Sequence, residues 1–271
     1  MDKGSGNMKC FDVTEKLERL SPHGYACEWD NVGLLVGRKD KEIHKIMVSL
    51  DASGEVIERA IENQVDLLVT HHPILFSPIK QLNQDYFISD KVLRLAEHGI
   101  NCYAMHTNFD AVGGMAELAA GSEYLNLTDT SPIESCEEGI GMGRYGKLPT
   151  PMTAEEAADY VKDKFHLPFV MIYQRKGEED RVFDRIAVMP GSGKSDMQNV
   201  YANGYSLYLT GDIGHHEGLD AMDMGLCVID ATHYGLEHIF ISYVADYLRQ
   251  ELPESEMKVI EYDPGSPIRI R

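Results

Sequence analysis

The chain has 271 residues, enough for one large or two modest domains, and its 43% hydrophobic and 25% charged residues exclude disorder as the main state. With 25 Lys+Arg against 44 Asp+Glu the formal charge is −19, which argues against general nucleic-acid binding, because phosphate backbones are met by basic patches. No apolar run approaches the ~18 residues of a membrane span, and the opening MDKGSGNMKC holds no apolar stretch of a signal peptide, so a cytoplasmic protein with no membrane partner is expected.

The first half alternates strand and helix. Residues 45–50 (KIMVSL) read as a strand ending at Asp51, and residues 54–63 (GEVIERAIEN) have helical spacing. Residues 65–70 (VDLLVT) form a short apolar run, read as a buried strand, that ends in His71-His72-Pro73. A helix over 89–98 follows, capped by Ser89 or Asp90 and stopped by Gly99. Residues 100–105 (INCYAM) are a strand ending in His106-Thr-Asn-Phe-Asp110, and a helix covers about 114–120. Such alternation implies βαβ units and a largely parallel sheet.

From about 126 to 204 the texture changes. Gly139, Gly141, Gly143 and Gly146 are followed by Pro149 and Pro151, and Thr153-Ala-Glu-Glu156 has the pattern of a capping box opening a helix to about Phe165. Two strand-like stretches, 169–174 and 183–189, flank the charged turn 175–180. The early rhythm then returns: a strand at 205–210 leads to Gly-Asp212-Ile-Gly-His-His216, and a strand at 226–230 leads to His233 and a helix through about 248. Residues 257–262 form a last strand. The expected fold is α/β and two-lobed. A parallel-rich domain is built from both chain halves, 1–125 with 205–271, and a smaller α+β domain is inserted at 126–204.

The five cysteines, Cys10, Cys27, Cys102, Cys136 and Cys227, are odd in number and lack CxxC spacing, so reduced and mostly buried thiols are expected rather than disulfides or a thiolate zinc site. Histidines are more telling. Asp51, His71, His72, His106 with Asp110, Asp212 with His216, and His233 each follow a predicted strand, and open α/β sheets bind ligands outside the carboxyl ends of their strands. Successive side chains on extended backbone point to opposite sides, so His71 and His72 suit two ions on either side better than one. His233 and Glu237 stand four apart on one helix face, a ligand spacing. Imidazoles and carboxylates without thiolates suit zinc, iron, manganese, cobalt or nickel. Two divalent ions bring +4 and Asp110 with Glu237 only −2, a balance that favours a bridging hydroxide, phosphate or another anionic ligand; such two-metal sites serve hydrolytic displacements.

Residues 190–195 (PGSGKS) follow a strand but do not make a P-loop, since Val188 stands where that motif needs its first glycine. A tight strand-to-helix turn is the preferred reading, with weak anion binding by exposed amides as the alternative. Trp29, the single tryptophan, either lines a pocket or sits in the core.

Five segments occur in order: WDNVGLLVG at 29–37, DLLVTHHPILF at 66–76, HTNFD at 106–110, LTGDIGHH at 209–216 and DATHYGLEH at 230–238. Together they resemble the Nif-three-like dinuclear metal-centre hexameric proteins, the type 2 homologues of GTP cyclohydrolase I, over nearly the whole chain. The resemblance implies a two-domain α/β subunit, a toroidal homohexamer, and two divalent ions held by His71, His72, Asp110, His233 and Glu237, with Glu237 bridging. It places His106 and His216 near the metals, as proton carriers. Lys194 departs from the family's glycine-rich turn, and the long insert that some relatives carry between the halves is absent. The function implied is a metal-dependent hydrolase of a nucleotide or other phosphorylated small molecule. The alternative is a non-catalytic hexameric scaffold, a metal-handling protein or a partner-binding module.

Overall fold

Two mixed sheets organise the chain, and a computed structural model describes residues 8–253 and 257–271 of it. Residues 1–7, part of the stretch read above for a leader, lie outside the described residues. The chain divides into two units, Met1–Gly113 with Phe240–Pro267 and Gly114–Ile239 with Ile268–Arg271.

The first unit carries a five-stranded sheet in the order Gly33–Val36, Asn101–Ala104, Leu67–Thr70, Lys45–Ser49, Lys258–Glu261. All neighbours run parallel except Gly33–Val36, which pairs antiparallel with Asn101–Ala104 at the edge. The near-continuous apolar runs of the inner strands follow from burial on both faces, as parallel sheets require. The helix Gly54–Glu62 begins where Ser53 accepts a hydrogen bond from the Val56 amide, and it buries Val56, Ile57 and Ala60. These side chains meet Met47, Leu68, Leu95 and Cys102 in one core. The helix expected from 89 starts earlier, at Phe87, because the Ser89 hydroxyl is buried and donates to the Gln81 carbonyl at 2.6 Å instead of capping.

The second unit holds a six-stranded sheet in the order Thr128–Ser131, Arg144–Thr153, Val182–Ser192, Leu207–Gly211, Cys227–Asp230, Met171–Tyr173. Val182–Ser192, Leu207–Gly211 and Cys227–Asp230 are parallel neighbours, and the other pairs are antiparallel. Its core gathers Ile133, Tyr145, Val200, Tyr208 and Val228. The capping box forms as the pattern predicts: the Glu156 amide donates to Thr153 Oγ1 at 3.3 Å and the Thr153 amide to Glu156 Oε2 at 2.8 Å.

Here the strand pairing departs from the expected boundaries of 126–204. Strands Leu207–Gly211 and Cys227–Asp230, expected beside the first half of the chain, hydrogen-bond into the second sheet. Strand–helix alternation specifies a local parallel unit but not the sheet that unit joins. Only the helix Ile239–Glu251, from Phe240 onward, and the strand Lys258–Glu261 return to the first unit. The helix expected over 233–248 is also divided, into His233–Glu237 and Ile239–Glu251.

Cys10, Cys102 and Cys227 are buried, Cys27 is half-buried and Cys136 is exposed, and none is joined in a disulfide. Burial pushes the thiols of Cys102 and Cys227 up to about 12. Among the described residues no helix is long and apolar enough to cross a membrane.

Candidate metal centre

In the first unit the candidate donors stand at the carboxyl ends of two adjacent parallel strands. Past Thr70, the amides of His71 and His72 both donate to the Leu50 carbonyl at 3.1 Å, which folds the chain back at the sheet edge. The His71 ring is fully buried, its Nδ1 lies 2.8 Å from the Met105 carbonyl, and it packs 5.2 Å from the Phe240 ring. Its Nε2 lies 3.6 Å from Asp110 Oδ1. His72 places Nδ1 2.8 Å from Asp51 Oδ1, and His106 places Nδ1 2.9 Å from Asp30 Oδ1. One ligand atom from each of His71, His72 and His106 lies within 4.8 Å of the others. This trio is able to hold a metal ion.

Asp110 is positioned by a π-turn, Phe109–Gly113, a form of helix that recurs at functional sites. Its amide donates to the His106 carbonyl at 3.0 Å. The turn is anchored by the buried Phe109 ring, 4.9 Å from Phe240. Gly113 is required there, because a Cβ would come within 2.2 Å of the Phe109 ring.

The second unit supplies His233 and Glu237 from one short helix, with His233 Nε2 3.0 Å from Glu237 Oε2. That contact is the one-turn geometry expected of an i, i+4 pair. His233 Nδ1 is 2.8 Å from Asp212 Oδ2. The helix is capped by Thr232, whose hydroxyl accepts from the Gly235 amide at 3.2 Å. Buried Asp230 ties both loops down, accepting from the Thr232 amide at 2.8 Å and the Ile213 amide at 2.9 Å. Desolvation raises the Asp230 carboxyl pKa against these hydrogen bonds. Asp212 and Thr232 both adopt positive φ, 58° and 65°, conformations unusual for residues with a side chain and typical of functional loops.

His71, His72, His106 and His233 share one arrangement: an oxygen atom stands within hydrogen-bond reach of Nδ1. With Nδ1–H donating, the lone pair resides on Nε2, which is how metal-ligating histidines are oriented. The donor set is imidazole and carboxylate throughout, and it fits a borderline divalent ion.

Several contributors escaped the sequence. Asp30, in the loop before the edge strand, has a side chain that is 0% exposed and also accepts from the Thr107 amide at 3.0 Å and hydroxyl at 2.6 Å. Burial alone would raise its carboxyl pKa, but the hydrogen bonds from His106 and Thr107 outweigh it and hold the group well below the usual carboxylate range. Two glycines make room for His233, Glu237 and the loop that carries them. A Cβ on Gly211 would come within 2.5 Å of the Thr232 backbone, and one on Gly191 within 2.4 Å of Glu237 Oε1. Gly191 sits at φ 73° where the Val182–Ser192 strand shifts register, a bulge beside the site. Gly191→Ala is therefore expected to push Glu237 aside and to add about 1–2 kcal/mol of backbone strain. Metal titration of the folded variant should show an affinity about tenfold or more below wild type. Wild-type affinity would show that Glu237 is no donor.

The 190–195 turn is the tight connection preferred above. The Gly193 amide donates to Thr210 Oγ1 at 2.9 Å, and Tyr208 Oη donates to the Gly193 carbonyl at 2.9 Å, so the backbone there is engaged inside the protein. His216 is exposed in the first turn of the helix His215–Met224, with its ring 5.2 Å from that of His215.

A family model described as Duf34/NIF3 (NGG1p interacting factor 3) matches residues 8–265. A relative from Clostridium perfringens named GTP cyclohydrolase 1 type 2 homolog is 30% identical over 265 residues, covering 96% of this chain and 98% of its own. The crystal structure of a Staphylococcus aureus hypothetical protein superposes with a TM-score of 0.85 at 26% identity, covering 97% of this chain and 100% of that one. Reduced HcgD from Methanocaldococcus jannaschii superposes with a TM-score of 0.81 at 33% identity, covering 95% and 99%.

Proposed function

The chain belongs to the Duf34/NIF3 family, and from that premise we propose that it is a dinuclear metal-dependent hydrolase of a nucleotide or other phosphorylated small molecule. His71, His72 and Asp110 of the first unit and His233 and Glu237 of the second are the proposed donors that would hold the ions. The single observation that carries this reading is the common orientation of the donor histidines His71, His72 and His233 through Nδ1, with carboxylates Asp110 and Glu237 beside two of them. Two divalent ions, when bound, supply Lewis-acid polarisation and a lowered pKa for water.

The chain's own residues do the rest. Five donors shared between two divalent ions would leave coordination positions open for an anion such as a phosphate. His106, steadied through Nδ1 by an ionised Asp30, presents Nε2 as the atom that takes up and returns a proton. His216 is proposed as a second proton carrier. The relatives' name, GTP cyclohydrolase 1 type 2 homolog, makes GTP one candidate substrate among nucleotides. The protein is proposed to work as a cytoplasmic homohexamer.

Turnover should be sought on GTP, phosphomonoesters, phosphodiesters and cyclic amides with manganese, zinc or iron added. Metal-dependent turnover lost in His71→Ala/Glu237→Ala is the expected result, and turnover that survives the double substitution overturns the assignment. A second reading, a scaffold or partner-binding module, is favoured by the exposed apolar side chains Phe76, Ile79, Leu82, Tyr86 and Phe87. It predicts metal or partner binding without turnover on any of these substrates.

A further inference from the structure

Trp29 is 61% exposed and Phe76 54% exposed, although both are large apolar rings in ordered loops. They are in mutual contact, with centroids 5.8 Å apart, and both meet the same histidine: Trp29 lies 6.1 Å and Phe76 6.3 Å from the His106 ring. His106 in turn packs against His71 at 5.2 Å and His72 at 5.6 Å. A small aromatic surface therefore adjoins the histidine trio within one unit.

This surface is held in place rather than left loose. On one side of Trp29 the Cys27 amide donates to Thr107 Oγ1 at 2.9 Å. On the other, buried Asp30 binds His106 and Thr107. Asn31 Nδ2 donates to the Leu75 carbonyl at 2.5 Å, which ties the Trp29 loop to the residue before Phe76. These hydrogen bonds fix the backbone that carries the two rings, which lowers the cost of ordering them against a ligand with a flat π-face.

We propose that Trp29 and Phe76 are the specificity platform of the site, stacking the flat heteroaromatic ring of a substrate whose anionic group is drawn to the metal donors. The ligand class is a nucleotide, a heteroaromatic ring and a phosphate in one molecule. The assignment deepens the proposed hydrolase reading and rests on it for the anionic end. Neither ring is a metal donor, and neither moves a proton. Their part is to bind and orient.

Trp29 is the sole tryptophan, so its emission reports this loop alone. Metal-loaded full-length protein is titrated with GMP and with ribose 5-phosphate, which keeps the sugar and phosphate but lacks the ring. GMP should quench Trp29 emission saturably and bind more tightly. By calorimetry, Trp29→Leu should weaken GMP about tenfold or more, since base stacking on an aromatic carries such a factor. Trp29→Phe should stay within about threefold of wild type, and Phe76→Leu should weaken GMP with Trp29 still in place as the probe. Ribose 5-phosphate binding and metal content should be the same in all variants. Equal affinity of GMP and ribose 5-phosphate for the wild type overturns the platform. So does a Trp29→Leu variant that binds GMP normally, or one that loses both ligands and its metal together. Ring-selective quenching in a chain shown to hold no metal sustains the platform and sinks the metal reading, so the two fail separately.

Discussion

Glu237→Gln should lower metal affinity by about 100-fold or more while leaving the chain folded. Even residues that only orient a ligand cost 10–100-fold when lost, and this carboxylate is a proposed direct donor. Its side chain is 4% exposed, it is set one turn from His233, and it is backed by Gly191. Glutamine keeps the shape and removes the charge. A buried carboxylate carries a desolvation penalty that a neutral amide avoids, so without metal the variant should melt at or above the wild-type temperature. With saturating manganese or zinc the order should reverse, because only the wild type gains the stabilisation of a bound ligand, about 2.7 kcal/mol at 100 times Kd. Thermal melts with and without metal read both signs. A variant that gains as much from metal as the wild type would remove Glu237 from the donor set.

Asp30→Ala should be the most destabilising single change outside the cores. It strips the His106 ring, the Thr107 amide and the Thr107 hydroxyl of one shared acceptor. Unsatisfied buried donors cost about 1–3 kcal/mol each. A loss of about 3 kcal/mol, or a fall in Tm of about 6–12 °C, is expected. Asp30→Asn, which keeps an acceptor for Thr107, should lose about 1 kcal/mol. The pH dependence has a definite sign. Folding lowers the Asp30 carboxyl pKa, so its contribution is present above the ordinary carboxylate value near 4 and is lost as the pH falls through the folded value. Wild type and Asp30→Ala should therefore differ most near neutrality and converge in acid. A constant gap across that range would show that packing, not charge, accounts for the loss.

What the residues disclosed in advance follows from how local each signal is. Strands 45–49, 67–70 and 101–104 announce themselves as short apolar runs, and the rule that ligands gather at strand carboxyl ends singles out His71, His72, His106 and Asp110 without any coordinates. The His233–Glu237 contact is a consequence of helical pitch and is equally readable. Asp30 was not readable, since its partners His106 and Thr107 lie 76 and 77 residues away and nothing in the WDN segment marks the carboxylate as buried. Gly191 and Gly211 were legible only as turn residues, because their need for no Cβ comes from side chains and backbone that arrive from distant segments. The sheet to which 207–211 and 227–230 belong was hidden for the same reason. Alternation fixes the unit, while the partner strand is chosen by long-range packing.

The central claim is a pair of divalent ions held by side chains of this chain, and the measurement that meets it most directly is metal content per chain by elemental mass spectrometry. It is made on protein purified without chelators or a polyhistidine tag. The account predicts about two ions per chain, as the five proposed donors and two-metal chemistry require, falling sharply in Glu237→Gln. Near-zero metal that titration with zinc, manganese, iron, cobalt or nickel does not restore would contradict it.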